Sequence, residues 1–208
     1  ENINSGGKIV SFQGTLASSC SEATAQSDLA VNNVRCRIMM GDMWWDLNNN
    51  PIYEIPKGSG KSSMFAGALW IGGIDLGGQL KVAAQTYRQT GNDFWPGPLT
   101  TTGASIDADE CAKYDKHFRI TRKEVEDFVT SGITTPNILN WPGNGDLSKG
   151  QDKYLAPFFD NDNDGLYDPS KGDYPGYDIT SGDNYGDCRE VNCIPVDQLY
   201  GDETMWWV

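Results

Sequence analysis

Between positions 160 and 173 the chain reads Asp160-Asn161-Asp162-Asn163-Asp164-Gly165-Leu166-Tyr167-Asp168-Pro169-Ser170-Lys171-Gly172-Asp173. Aspartate at alternate positions followed by glycine is the first half of an EF-hand-type loop. Such a loop wraps six to eight hard oxygens around calcium at about 2.3–2.6 Å. Asp160, Asp162 and Asp164 stand at loop positions 1, 3 and 5. Gly165 permits the sharp turn that brings the backbone carbonyl of Leu166 inward, and Asp168 falls at position 9. The bidentate Glu of position 12 is replaced by Lys171, which cannot ligate a cation, so Asp173 is expected to close the shell. Pro157 and Pro169 forbid the flanking helices of an EF-hand. The expectation is therefore a calcium loop between β elements or ordered turns, closer to the Asp-rich loops of extracellular repeat modules. The competing reading is an ion-free polar turn, but four aspartates within nine residues would repel one another without a cation. Asp178, Asp183 and Asp187 continue the acid density at irregular spacing and suggest a second ion.

Other chemistry is only apparent. Gly58-Ser59-Gly60-Lys61-Ser62 resembles a phosphate-binding loop, yet the required first glycine is Ile55, and Pro56 removes an N–H that should cradle phosphate. His117, the single histidine, stands in no recognisable catalytic motif. With 29 acidic residues some carboxylate pair will always approach glycosidase separation, which carries little information. Seven tryptophans could form a sugar-stacking platform, though they more often serve as core anchors.

Five cysteines (Cys20, Cys36, Cys111, Cys188 and Cys193) with one histidine leave little material for a zinc site. Cys188 and Cys193 bracket a loop short enough for a local disulfide. Cys20, Cys36 and Cys111 can supply one further bridge, with the pairing open and one thiol left over. The net charge of −13 repels phosphate backbones and argues against nucleic acid as a partner. No apolar run is long enough to span a membrane as a helix. Aspartate outnumbers glutamate 21 to 8 beside 24 glycines, a composition of turns and oxygen ligands rather than long helices.

The elements that must position the loop are mainly strands. Residues 1–30 read as a lead and loop, with a strand candidate over Lys8–Gly14. Residues 31–208 read as one β-rich domain, expected to continue further in a longer protein. Val34–Met40 alternates apolar and basic residues, the period of a half-buried strand. Met43–Leu47 is a second strand candidate. Met64–Ile74 and Gln79–Arg88 flank the Gly-rich turn Asp75–Gly78 as a hairpin. One short helix is expected near 122–130, from the capping-box spacing of Thr121 and Glu124 and the stop at Gly132. The fold class is mainly β, with antiparallel, sandwich-like sheets, long ordered loops and that one helix.

The strings GDMWWDL, YEIPKGSGKSSMFAGALWIGGID, QLKVAAQTYRQTGNDFWPGPL, CAKYDKHF, YLAPFFDNDNDGLYDPSKGDYP and GDETMWWV together make a resemblance. From about Val31 onward the chain resembles the N-terminal region of large secreted proteins of gliding-type bacteria. Those are exported by the type IX secretion system and carry a C-terminal sorting domain. The resemblance implies an extracellular or cell-surface location with the signal peptide removed, and no known activity. The expected function is a calcium-stabilised structural or adhesive module, not an enzyme, whose partners are other copies or other surface proteins in an assembly or filament. The alternative is a carbohydrate-binding or carbohydrate-cleaving domain that contacts glycans through tryptophans and paired carboxylates.

Overall fold

A computed structural model describes residues 20–85, 93–177, 179, 193–194 and 198–208. Among these the chain is mostly strands in several small antiparallel sheets, with three helices. The largest sheet begins with β1 (Gln26–Leu29) against β2 (Arg35–Met39), in register from Gln26 opposite Met39 to Leu29 opposite Cys36. β3 (Asp42–Met43) and β4 (Tyr53–Glu54) both pair with β2, and β5 (Gly67–Ala68) extends the sheet from β3. The alternation of residues 34–40 thus becomes a central strand. Its polar face carries Arg35 and Arg37, both ion-paired to Asp28 on β1. Burial would raise the Asp28 carboxyl, but the two guanidinium groups outweigh it and hold it below the ordinary range.

Only the turn-proximal part of the expected hairpin forms, as β6 (Ile71–Ile74) and β7 (Leu80–Ala83), while Gly67–Ala68 pairs with β3 instead. Its turn is set by Asp75, whose Oδ1 accepts from the N–H groups of Gly77 and Gln79. Two helices join the one expected. α1 (Ala108–Tyr114) is capped by Asp107, and α3 (Pro136–Leu139) by Thr135 with proline at its first position. The expected helix is α2 (Arg122–Ser131), which has the capping box between Thr121 and Glu124 and ends on Gly132 in the left-handed region at φ 68°. It follows β8 (Phe118–Thr121), which pairs with β12 (Glu203–Trp206).

Among the described residues a buried cluster supports the Asp-rich loop: Ile120, Val125, Ile138, Trp141, Ala156, Phe158, Tyr174, Tyr177 and Leu199. Phe158 belongs to β9 (Phe158–Phe159) and Tyr174 to β10 (Tyr174–Pro175), which pair antiparallel; β9 also pairs with β11 (Cys193–Ile194). Both ends of the Asp-rich loop are therefore anchored by aromatic residues that the core holds out of water. Cys20 and Cys111 form a disulfide, which settles the open pairing and leaves Cys36 free. Burial pushes the Cys36 thiol up to about 11, so it stays protonated and poorly nucleophilic at neutral pH. The strand candidate over residues 8–14, Cys188 of the proposed Cys188–Cys193 bridge and the acids Asp178, Asp183 and Asp187 lie outside the described residues.

Candidate metal centre

The loop over residues 160–173 is the connection of the β9–β10 hairpin. Phe159 faces Tyr174 across that ladder, their rings stacked at 4.7 Å. The next residues outward on the two strands are Asp160 and Asp173. Two carboxylates brought this close disfavour each other's charged form. Here both carboxyl groups are also buried, Asp160 at 1% and Asp173 at 0% exposure. Asp162 adds a third from the solvent side, and one oxygen from each of the three lies within 4.8 Å of the others.

Hydrogen bonds from the loop backbone orient two of these groups. Asp173 accepts from the N–H of Asn161 at 2.9 Å through Oδ1 and from that of Asp168 at 2.7 Å through Oδ2. Asp160 Oδ2 accepts from the Gly165 N–H at 2.7 Å. Its other oxygen, Oδ1, is buried and has no hydrogen-bond partner. A buried carboxylate oxygen left unmatched costs on the order of 1–3 kcal/mol or more, so it calls for a ligand. Burial, and the charges of Asp160 and Asp162, raise the Asp173 carboxyl above its ordinary value despite its two backbone bonds. Three acids thus meet at the mouth of the hairpin, two of them buried, and the Lys171 ammonium reaches the exposed third, 3.1 Å from Asp162 Oδ2.

The other expected ligands are turned to different tasks. Asp164 accepts from the Leu166 N–H at 2.7 Å and pairs with Lys171. Asp168 caps the 3-10 turn Pro169–Lys171, accepting from the N–H of Ser170 at 2.9 Å and its hydroxyl at 2.7 Å. Leu166 keeps its place after the turn with its side chain exposed. Gly165 adopts the left-handed φ of 73° expected of the sharp turn, and Asn163 shares that region at 60°. Asn144, which nothing in the sequence singled out, straps the loop. Its amide donates to the carbonyls of Lys153 and Gly165, and its oxygen accepts from the Tyr167 N–H. Tyr167 in turn donates its hydroxyl to the carbonyl of Ile138 on α3.

An all-oxygen donor set of carboxylates suits hard cations such as calcium, magnesium or manganese rather than zinc or copper. Elsewhere the chemistry is sparse. His117 bonds Ser27 Oγ through Nδ1 at 3.0 Å, but Nε2 is buried without a partner, so no carboxylate orients the ring as a triad would require. A recess of about 400 Å³ beside α1 is lined by Glu110, Lys149 and Gln151, and both Glu110 oxygens are taken by the latter two at 2.6 Å. No family model, curated protein or solved structure matches this chain.

Proposed function

We propose that this chain is a calcium-stabilised structural or adhesive module of an exported bacterial surface protein, working beside other copies or other surface proteins. The observation that carries the reading is Asp160, a buried carboxylate with one oxygen unmatched, beside a second buried carboxylate, Asp173, where the two strands leave the ladder. A calcium ion there offsets the repulsion and clamps a long loop onto the core, which adds stability where regular structure is scarce. Calcium is preferred to magnesium because its shell of six to eight oxygens tolerates the irregular geometry of such a loop. The Cys20–Cys111 disulfide fits an oxidising compartment. The string YLAPFFDNDNDGLYDPSKGDYP, which carries much of the resemblance to type IX secreted proteins, is the segment that forms the loop. The tryptophans favour a structural role over a glycan platform: Trp45 and Trp141 are buried, and only Trp70 is more than half exposed.

The test is thermal unfolding in chelator and in calcium. Calcium at about 100 times its dissociation constant should add roughly 2.7 kcal/mol. That corresponds to about 5–10 °C in Tm for a chain of this size. Asp160→Asn should abolish the calcium response and, in chelator, should be as stable as the parent or more so. An unchanged Tm between chelator and calcium would overturn the reading.

A further inference from the structure

Lys171 stands where an EF-hand places its last carboxylate, and its ammonium lies 3.1 Å from Asp162 Oδ2 while also pairing with Asp164. Asp162 is the exposed member of the triad, so it is the one a mobile cation can reach from solvent. The backbone of Lys171 is fixed: its N–H donates to the Asp168 carbonyl at 2.9 Å, and its own carbonyl accepts from the Asn161 amide at 2.9 Å. Only the flexible four-carbon stem is free to swing. Lysine is a compact point charge on such a stem and releases a carboxylate more readily than a bidentate arginine would.

We propose that Lys171 is a tethered competitor for the cation, holding Asp162 in the ion-free state and yielding it when a divalent ion enters. This rests on the cation reading above, and so on the buried, unmatched oxygen of Asp160 that points to a ligand. Two positive charges cannot share Asp162 at a few ångströms without strong Coulomb repulsion. Ion entry therefore displaces the ammonium toward Asp164 and solvent. The residue does two things. It lowers the affinity of the site, matching it to a compartment rich in calcium, and it keeps the empty loop from flying apart under its own charge.

Two signs follow. Removing the lysine charge should tighten ion binding while destabilising the ion-free protein. A residue that merely packs the loop would weaken both.

The experiment is calorimetric titration of calcium into the chelator-stripped protein at fixed ionic strength, with thermal unfolding of the same samples. It compares the parent with Lys171→Met, Lys171→Gln as a second neutral variant, and Lys123→Met as a remote control for net charge. The neutral variants at position 171 should bind calcium tenfold or more tighter, unfold at lower temperature in chelator and recover the parent Tm in saturating calcium. Lys123→Met should match the parent. Calcium binding by the parent with equal or weaker binding by both neutral variants overturns the competitor and leaves the cation reading intact. Binding by the neutral variants alone supports the competitor and overturns calcium stabilisation of the parent. Binding by none of them overturns both.

Discussion

At the scale of single residues, Asp160 and Asp42 are buried acids with carboxyl oxygens left unmatched, and they behave differently. Asp160 faces other acids, a cluster that could hold a cation. Asp42 on β3 is 1% exposed, and neither of its oxygens meets a donor in hydrogen-bonding geometry. Burial pushes it up to about 7, with the nearby Gln85 amide offsetting only part of the shift. Because the folded value lies above the ordinary 3.8, the fold binds this proton more tightly than the unfolded chain does. Its contribution is greatest below pH 3.8 and is lost progressively as pH rises to about 7. Asp42→Asn should therefore raise Tm at pH 8, flatten the fall in stability between pH 5 and 7, and gain a donor for the Gln85 oxygen, which also lacks a partner. Melting both proteins at pH 5 and pH 8 checks this; an equal loss at both values would count against it. Asp42 was not legible in the sequence, since an acid beside a glycine reads as an exposed turn. The metal loop was more so: the alternation brought Asp160 and Asp162 forward, and the lysine at position 12 brought Asp173. Asp164 and Asp168 kept their loop positions but serve Lys171 and a 3-10 cap, competition that spacing alone does not reveal.

At the scale of elements, the joint between α2 and α3 shows how local signals become tertiary ones. The Glu124 carboxylate accepts from the Thr121 N–H, as the capping box requires, and from the Thr121 hydroxyl as well. It also accepts from the hydroxyl of Thr135, which caps α3, and from the Asn137 amide. One side chain therefore ties two helix starts together. Burial alone would raise its carboxyl, but these bonds outweigh that and hold it below its ordinary value. Glu124→Ala leaves several donors unmatched and should cost about 1–3 kcal/mol. Thr121→Ala loses one cap and should cost about 1 kcal/mol. Denaturant titration of the two variants ranks them, and equal losses would mean that the link to α3 contributes nothing. The capping box was visible because its partners are three residues apart. The link to α3 joins positions 11 and 13 residues away, beyond any local pattern. The short α1 and α3 escaped for a related reason: each is brief, and its cap, Asp107 or Thr135, sits in a loop-like sequence of Thr, Ser, Asn and Pro. Strands were recovered where side chains alternate, as in β2, and their grouping into several small sheets was not.

At the scale of the whole molecule, the disulfide and the proposed cation tie fall on separate stretches of chain. The Cys20–Cys111 bond closes a loop of 91 residues around the five-stranded sheet and the β6–β7 hairpin. Nearby, Asp115 accepts from the Thr24 N–H and hydroxyl and from the Ala25 N–H, so the start of β1 is held at the same place. The metal loop closes residues 160–173 against the core cluster, with no residue in common. If each tie acts chiefly by restricting the unfolded chain, their contributions should add, because the loops they close do not overlap. The disulfide closes the longer loop and should contribute up to about 4–5 kcal/mol, the cation roughly 2.7 kcal/mol at 100 times its dissociation constant. The paired variant Cys20→Ser/Cys111→Ser should melt well below the parent and still show the full calcium response. Chelator should then lower both proteins by equal free energies, within about 0.5 kcal/mol. A calcium response that vanishes with the disulfide would show instead that the sheet and the metal hairpin fold as one coupled unit, the link between them running through α1 and β8. Independent responses would mean that oxidation and calcium, both abundant outside the cell, secure the two halves of this loop-rich fold separately.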